Sequence, residues 1–146
     1  MKIGIGNDHA APEMKLRVKE YLEGLGHEVI NFGTDTDERV DYPDIAEKLC
    51  DAIVNGEIEK GVLICGTGLG MSIAANKIDG IRAACCSEPF SAALAVEHNN
   101  ANVICFGARV IDFDKAKEIL NAYFGAEFQG GRHAVRVGKI MALEIR

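Results

Sequence analysis

The sequence predicts an α/β fold: a three-layer αβα sandwich built on a five-stranded parallel sheet, with an extra helix at the C-terminus. Two observations carry this expectation. Apolar runs of strand length alternate with longer segments whose apolar residues recur at helical spacing. Strands alternating with helices build a parallel sheet covered on both faces, through right-handed crossovers. No linker, repeat or low-complexity tract interrupts the pattern, so residues 1–146 are expected to form a single domain.

The elements follow in chain order. Lys2–Asn7 (KIGIGN) reads as the first strand. Pro12 opens a helix whose apolar positions Met14, Val18, Tyr21, Leu22 and Leu25 follow helical spacing, and Gly26 stops it. His27–Phe32 is the second strand, followed by a polar loop, GTDTDERVDYPD. A second helix lines up Ile45, Ala46, Leu49, Cys50, Ile53 and Val54, and Gly56 ends it. Gly61–Cys65 is the third strand, with a helix from about Gly70 to Lys77. Ile81–Cys86 is the fourth strand, a helix crosses Pro89–His98, and Asn102–Phe106 is the fifth strand. Asp112–Phe124 is a further helix, and the last begins near Arg132. The layout is Rossmann-like. Such sheets bind ligands beyond the carboxyl ends of their strands, where the winding direction reverses. Functional groups are therefore expected just after strands one, three, four and five, with the order of the last two strands left open.

Composition narrows the function classes. The chain has 146 residues, 48% hydrophobic and 26% charged, as expected of a globular protein able to bury a core. A net charge of -6 argues against general affinity for nucleic acid or anionic lipid. No apolar run approaches the ~20 residues of a membrane span, and MKIGIGNDH enters a strand without a leader pattern, so a cytoplasmic protein is expected. Cys50, Cys65, Cys85, Cys86 and Cys105 make an odd count without a CxxC pair, which does not suggest a disulfide framework. The four histidines are scattered without ligand spacing, so no metal is expected.

Polar residues gather at the predicted strand ends. Asp8-His9 follows strand one, Cys65 and a glycine turn follow strand three, and Gly107-Ala108-Arg109 follows strand five. His98-Asn99 closes the fourth crossover helix and is expected on the same rim. In CGTGLGMS, Gly66, Gly68 and Gly70 let the backbone approach a ligand and aim amides at it. The spacing is neither a dinucleotide fingerprint, which places the third glycine one residue later, nor a P-loop, which ends in GK[ST]. A tight strand-to-helix turn is the plain alternative. Cys65 reads as a core residue by its apolar run, but a helix N-terminus favours thiolate over thiol. There it serves as a base, or as an acyl-transfer nucleophile if His9, Asp8 or His98 supplies a triad. Arg132 and Arg136 lie four apart, on one helical face with no acid within four residues. That arrangement fits a phosphate clamp or a solvated surface.

The segments DHA, YPD, CGTGLGMSIAANK, IRA with CSEPFSA, EHNNANV with FGARV, and GGRHAVRV, in this order, resemble the type B ribose-5-phosphate isomerases. That wider family includes galactose-6-phosphate and allose-6-phosphate isomerases. The resemblance runs from Lys2 into the last helix. It implies an aldose–ketose isomerase that moves a proton between C1 and C2 of an open-chain sugar phosphate, without metal or organic cofactor. By the same resemblance Cys65 is the base, and Gly66, Thr67, Gly68, Leu69 and Gly70 form the anion hole, with the Thr67 hydroxyl assisting. His98 is the donor for ring opening and Asn99 binds substrate beside it. Asp8 and His9 hold sugar oxygens, and Arg109, Arg132 and Arg136 hold the phosphate. The C-terminal arginines reach into a neighbouring copy's site, implying a homodimer at least. Against this stand a six-carbon sugar phosphate isomerase, a non-catalytic phosphosugar-binding module and a cysteine hydrolase.

Overall fold

A computed structural model describes all 146 residues. Five strands, β1 (Lys2–Asn7), β2 (Glu28–Asn31), β3 (Lys60–Cys65), β4 (Ala83–Cys85) and β5 (Val103–Gly107), form one parallel sheet in the order β2-β1-β3-β5-β4. The order resolves what the sequence left open: the last strand lies inside the sheet and β4 forms its edge. Winding reverses between β1 and β3, which puts the residues after Asn7 and Cys65 at the switch point.

Six α-helices accompany the strands: α1 (Pro12–Gly24), α2 (Tyr42–Val54), α3 (Leu69–Ala75), α4 (Pro89–Glu97), α5 (Phe113–Phe124) and α6 (Arg132–Ala142). None is long and apolar enough to cross a membrane. All three prolines sit in first turns, where the missing N–H costs no hydrogen bond. Asp112 caps α5 by accepting the Lys115 N–H at 2.9 Å. Val18 and Leu22 of α1, Ala92 and Val96 of α4, and Ile119 and Leu120 of α5 pack with Ile5, Val62 and Ile104 on one face of the sheet. Leu49 of α2 and Met71 of α3 pack with Leu63, Val103 and Cys105 on the other. The alternation of apolar residues along each strand thus feeds two separate cores.

Two expected boundaries shift. Tyr42-Pro43-Asp44, placed by the sequence in the polar loop, forms the first turn of α2, because Pro43 is pre-set for a helical start. The fourth strand is three residues long instead of six. Ahead of it the Arg82 N–H donates to the Asn102 side chain and the Arg82 carbonyl accepts the Asn102 N–H, so that stretch is tied by side-chain and turn bonds instead of a ladder.

Candidate active site

The glycine turn after β3 is clamped against the end of β5. Ala108 N–H donates to the Cys65 carbonyl at 2.9 Å and Arg109 N–H to the Gly66 carbonyl at 3.0 Å. A side chain at Gly107 would lie 2.5 Å from the Thr67 Cα, so the two backbones touch. Gly68 begins α3 at φ +83, a left-handed conformation that suits glycine and swings the chain sharply into the helix. That swing folds the Gly68 N–H back onto the Cys65 sulfur at 3.1 Å. A donor aimed at the sulfur stabilises negative charge on it. The amides of Gly70 and Met71, in the first turn of α3, meet no acceptor within the chain.

Side chains complete this rim. The Thr67 hydroxyl accepts the Leu69 N–H at 3.3 Å, leaving its own proton free to donate outward. Asp8 is 7% exposed, and its carboxylate accepts the Ala10 N–H at 3.0 Å and has no cationic partner. His9 accepts the Val40 N–H on Nδ1 at 3.4 Å, which puts a neutral ring's proton on Nε2. The Arg109 guanidinium covers Gly66, its Nη1 lying 3.3 Å from where a Cβ would stand. The chain's four ion pairs draw only on Lys15, Lys19, Lys115 and Lys117, so Arg109, Arg132 and Arg136 hold no carboxylate.

Two of the five thiols, Cys65 and Cys85, lie against this loop; Cys65 is 5% exposed and packs into the core beneath it, with its sulfur under the Gly68 amide. Burial pushes Cys50 up to about 12 and Cys86 up to about 11, and drives Cys105 well above its ordinary range. Cys85, on the exposed edge strand, sits under the loop with its sulfur 3.7 Å from the Thr67 carbonyl, and desolvation followed by the nearby Cys65 raises it too. Glu88 caps α4 by accepting the Ser91 N–H at 2.9 Å.

The remaining expected site residues lie elsewhere. The sequence put His98 and Asn99 on the Cys65 rim; the structure puts them at the other edge of the sheet. Helix α4 runs back from the end of β4, and the residues after His98 bond to the strand starts: Gly61 N–H and Arg82 Nε donate to the Asn102 and Asn100 carbonyls. A crossover between parallel strands must return to where the next strand begins, and this rule alone corrects the expectation. Arg132 and Arg136 join His98 there through α6, whose His133 stacks on the His98 ring with centroids 4.1 Å apart and 9° between planes. The expected site residues therefore fall into two separated groups: Asp8, His9, Cys65 to Gly70 and Arg109 on one edge; His98, Asn99, Arg132 and Arg136 on the other.

Tyr42, whose role the sequence left open, and Lys15, which the sequence reading missed, also belong to the surroundings of the turn. Tyr42 lies on the glycine turn, its ring 2.7 Å from a Cβ built on Gly70. Lys15 is 2% exposed, bonded to the Asp35 carboxylate and, at 3.1 Å, to the Thr34 carbonyl, and it anchors the loop that carries Val40 and Tyr42. The available signal for Lys15 was a lone lysine between the apolar helical positions Met14 and Val18.

Residues 3–140 match the Ribose/Galactose Isomerase family. The chain belongs to that family. Within the ribose/galactose isomerases it is 49% identical over 145 residues to ribose-5-phosphate isomerase B of Escherichia coli, covering 99% of this chain and 97% of that one. It is 48% identical over 141 residues to D-erythrulose-4-phosphate isomerase of Pectobacterium atrosepticum, covering 96% and 93%. Among solved structures, ribose-5-phosphate isomerase B of Clostridium thermocellum superimposes with a TM-score of 0.97 at 51% identity, covering 99% and 97%. The Mycoplasma genitalium enzyme, solved with bound ribulose-5-phosphate, gives 0.93 at 37% identity, covering 98% and 95%.

Proposed function

We propose that this chain interconverts ribose 5-phosphate and ribulose 5-phosphate by proton transfer at Cys65. The carrying observation is a cysteine sulfur 3.1 Å from the Gly68 amide, at the switch point of a family fold whose relatives bear this activity. His98 gives a proton to the furanose ring oxygen as the C1–O4 bond breaks, the anomeric hydroxyl passes its proton to water, and the open-chain aldehyde forms. The Cys65 thiolate then takes the C2 proton, the electron pair forms the C1–C2 double bond, and negative charge collects on O1. Amides of the Gly66–Gly70 turn and the Thr67 hydroxyl steady that oxygen, the kind of term that contributes about 3–4 kcal/mol per donor. The Cys65 S–H exchanges its proton with solvent while the enediolate persists and then protonates C1 as the O2 proton passes to O1, giving the ketose. Electrons move only within the sugar, so the reaction consumes no redox cofactor.

Asp8, His9 and Asn99 hold sugar oxygens in this reading, and Arg109, Arg132 and Arg136 hold the phosphate, whose binding orients the reacting carbons. Since one chain separates its half-sites, the working unit is a homodimer in which His98, Asn99, Arg132 and Arg136 of one copy face Cys65 of the other. Apolar residues left exposed on α3, α4 and α6 (Leu69 58%, Ile73 63%, Phe90 72%, Val135 62%) support such an assembly. Five free cysteines support a reducing, cytoplasmic setting.

The named activity of the Pectobacterium relative makes another chain length of sugar phosphate the nearest competitor. A panel of four-, five- and six-carbon aldose phosphates turned over in heavy water decides between them. Ribose 5-phosphate is expected to have the highest kcat/KM and to gain deuterium. Turnover without deuterium in the product overturns the proton-transfer reading, and a better four- or six-carbon substrate overturns the assignment to ribose 5-phosphate.

A further inference from the structure

We infer that His133 is a positioning residue: its ring is the shelf that orients His98 and locks α6, with Arg132 and Arg136, to the end of α4. The inference rests on the reading of His98 as the ring-opening donor. His98 ends α4 and His133 lies in the first turn of α6, so the two rings join separate helices. They are parallel within 9° at 4.1 Å between centroids, a face-to-face contact. The far end of α6 is held separately, by the Arg82 guanidinium donating to the Met141 sulfur at 3.5 Å and, just beyond the helix, the Gly80 N–H donating to Glu144 at 2.9 Å. Only His133 and Val137 of its residues are buried, and the backbone tie beside the stack is one bond, Gln129 N–H to the Glu97 carbonyl at 3.0 Å.

The consequence is a fixed spacing between two recognition elements. Arg132 immediately precedes His133 and Arg136 follows three residues later, so a shift of the His133 ring moves the phosphate-binding groups relative to His98. A pentose phosphate has a set distance from phosphate to ring oxygen, and groups that recognise both ends must keep that distance. His133 also remains the uncharged partner of the stack. Burial, then His98, Arg132 and Arg136 beside it, holds its pKa below the usual histidine value of 6.5.

Four purified variants test this: His133→Ala, His133→Phe, His133→Asn and His98→Asn, each assayed on ribose 5-phosphate and on D-erythrose 4-phosphate. The four-carbon sugar has its 4-oxygen esterified and forms no furanose ring. Loss of the shelf is expected to cut kcat/KM on ribose 5-phosphate by about 10- to 100-fold, the scale of a small misplacement. Losses on erythrose 4-phosphate are expected to be smaller. The flat ring of His133→Phe restores most of the difference; His133→Asn, polar but without a ring, does not. A Phe variant as impaired as Ala overturns the shelf and makes a nitrogen of His133 the needed group. Equal losses on both sugars in His133→Ala, with His98→Asn still selective for the cyclic one, overturn the shelf and leave the ring-opening reading standing. Equal losses on both sugars in His98→Asn remove that reading and the shelf with it. Should His133→Ala fail to fold, the His98 ring-proton chemical shifts of His133→Phe and His133→Asn serve instead. Retention of the stacked shift in Phe alone supports the shelf, and the same shift in both refutes it.

Discussion

Cys65 and His98 stand at opposite ends of the sheet that joins them. Cys65 closes β3 on the carboxyl edge, while His98 ends α4 beside the strand starts. Strand β3 alone spans about 16 Å between these edges. No side-chain rotation brings a thiol and an imidazole together across that length, so a reaction that uses both requires two copies of the chain.

This separation makes a complementation experiment decisive. Cys65→Ala and His98→Asn chains are each expected to form dimers with both sites damaged. A mixed dimer holds one intact site, with Cys65 from one copy and His98 from the other. Co-refolding equal amounts is expected to recover about a quarter of wild-type activity on ribose 5-phosphate, since half the dimers are mixed and each has one good site. Activity no higher than the two separate variants would rule out sharing.

The two glycines that flank the turn are expected to fail differently. A Cβ on Gly107 would sit 2.5 Å from the Thr67 Cα and 2.6 Å from the Gly66 carbonyl oxygen, both backbone. Gly107→Ala must therefore move the turn off β5, at a cost of about 1–3 kcal/mol, and lose activity with stability. The three atoms nearest a Cβ on Gly70 all belong to the Tyr42 side chain, which is 38% exposed and free to swing out. Gly70→Ala is expected to cost less than about 1 kcal/mol while kcat falls. Urea midpoints and steady-state rates on both variants separate the cases; a Gly107→Ala protein with wild-type stability contradicts the clamp.

Much of this architecture was readable beforehand, for reasons that particular residues show. The alternation in KIGIGN and the helical spacing of Ile45, Ala46, Leu49 and Cys50 gave elements within a few residues of their observed ends. Tyr42-Pro43-Asp44 went astray because a proline within a polar stretch marks a loop and a helix start equally well. The grouping of site residues went astray for a different reason. His98 is polar, titratable and close in sequence to the fifth strand, but its edge follows from chain direction, which composition does not encode. The contacts of Lys15 with Asp35 and of Tyr42 with Gly70 join residues 20 and 28 positions apart, and packing alone brings them together.

Thiol chemistry should follow the division between rim and core. In native protein treated with iodoacetamide, Cys65 is expected to take label and ribose 5-phosphate to protect it. Cys50 and Cys105 are fully buried, with Cys50 pushed up to about 12, and should react only after denaturation. Cys85 is exposed, but its thiol is raised and its labelling should be slow. Peptide mapping by mass spectrometry reads all five sites. Label on Cys50 or Cys105 in the folded protein, or none on Cys65, contradicts the assignment.

Acid should loosen the α4–α6 contact through His133. Its side chain is 8% exposed, and the groups facing it are His98 from α4 and Arg132 and Arg136 from α6. Burial first, and then these neighbours, lower its pKa in the folded protein below the unfolded value of 6.5. Above that pH the ring is neutral in both states and the contact contributes fully. As pH falls through 6.5 the unfolded chain takes a proton that the folded chain resists, so stability drops until the folded ring protonates as well. The urea midpoint of the wild type is therefore expected to fall between pH 7.5 and 5.5 by more than that of His133→Phe, which keeps a ring but not the proton site. Identical acid losses in the two would show that His133 protonation does not strain this junction.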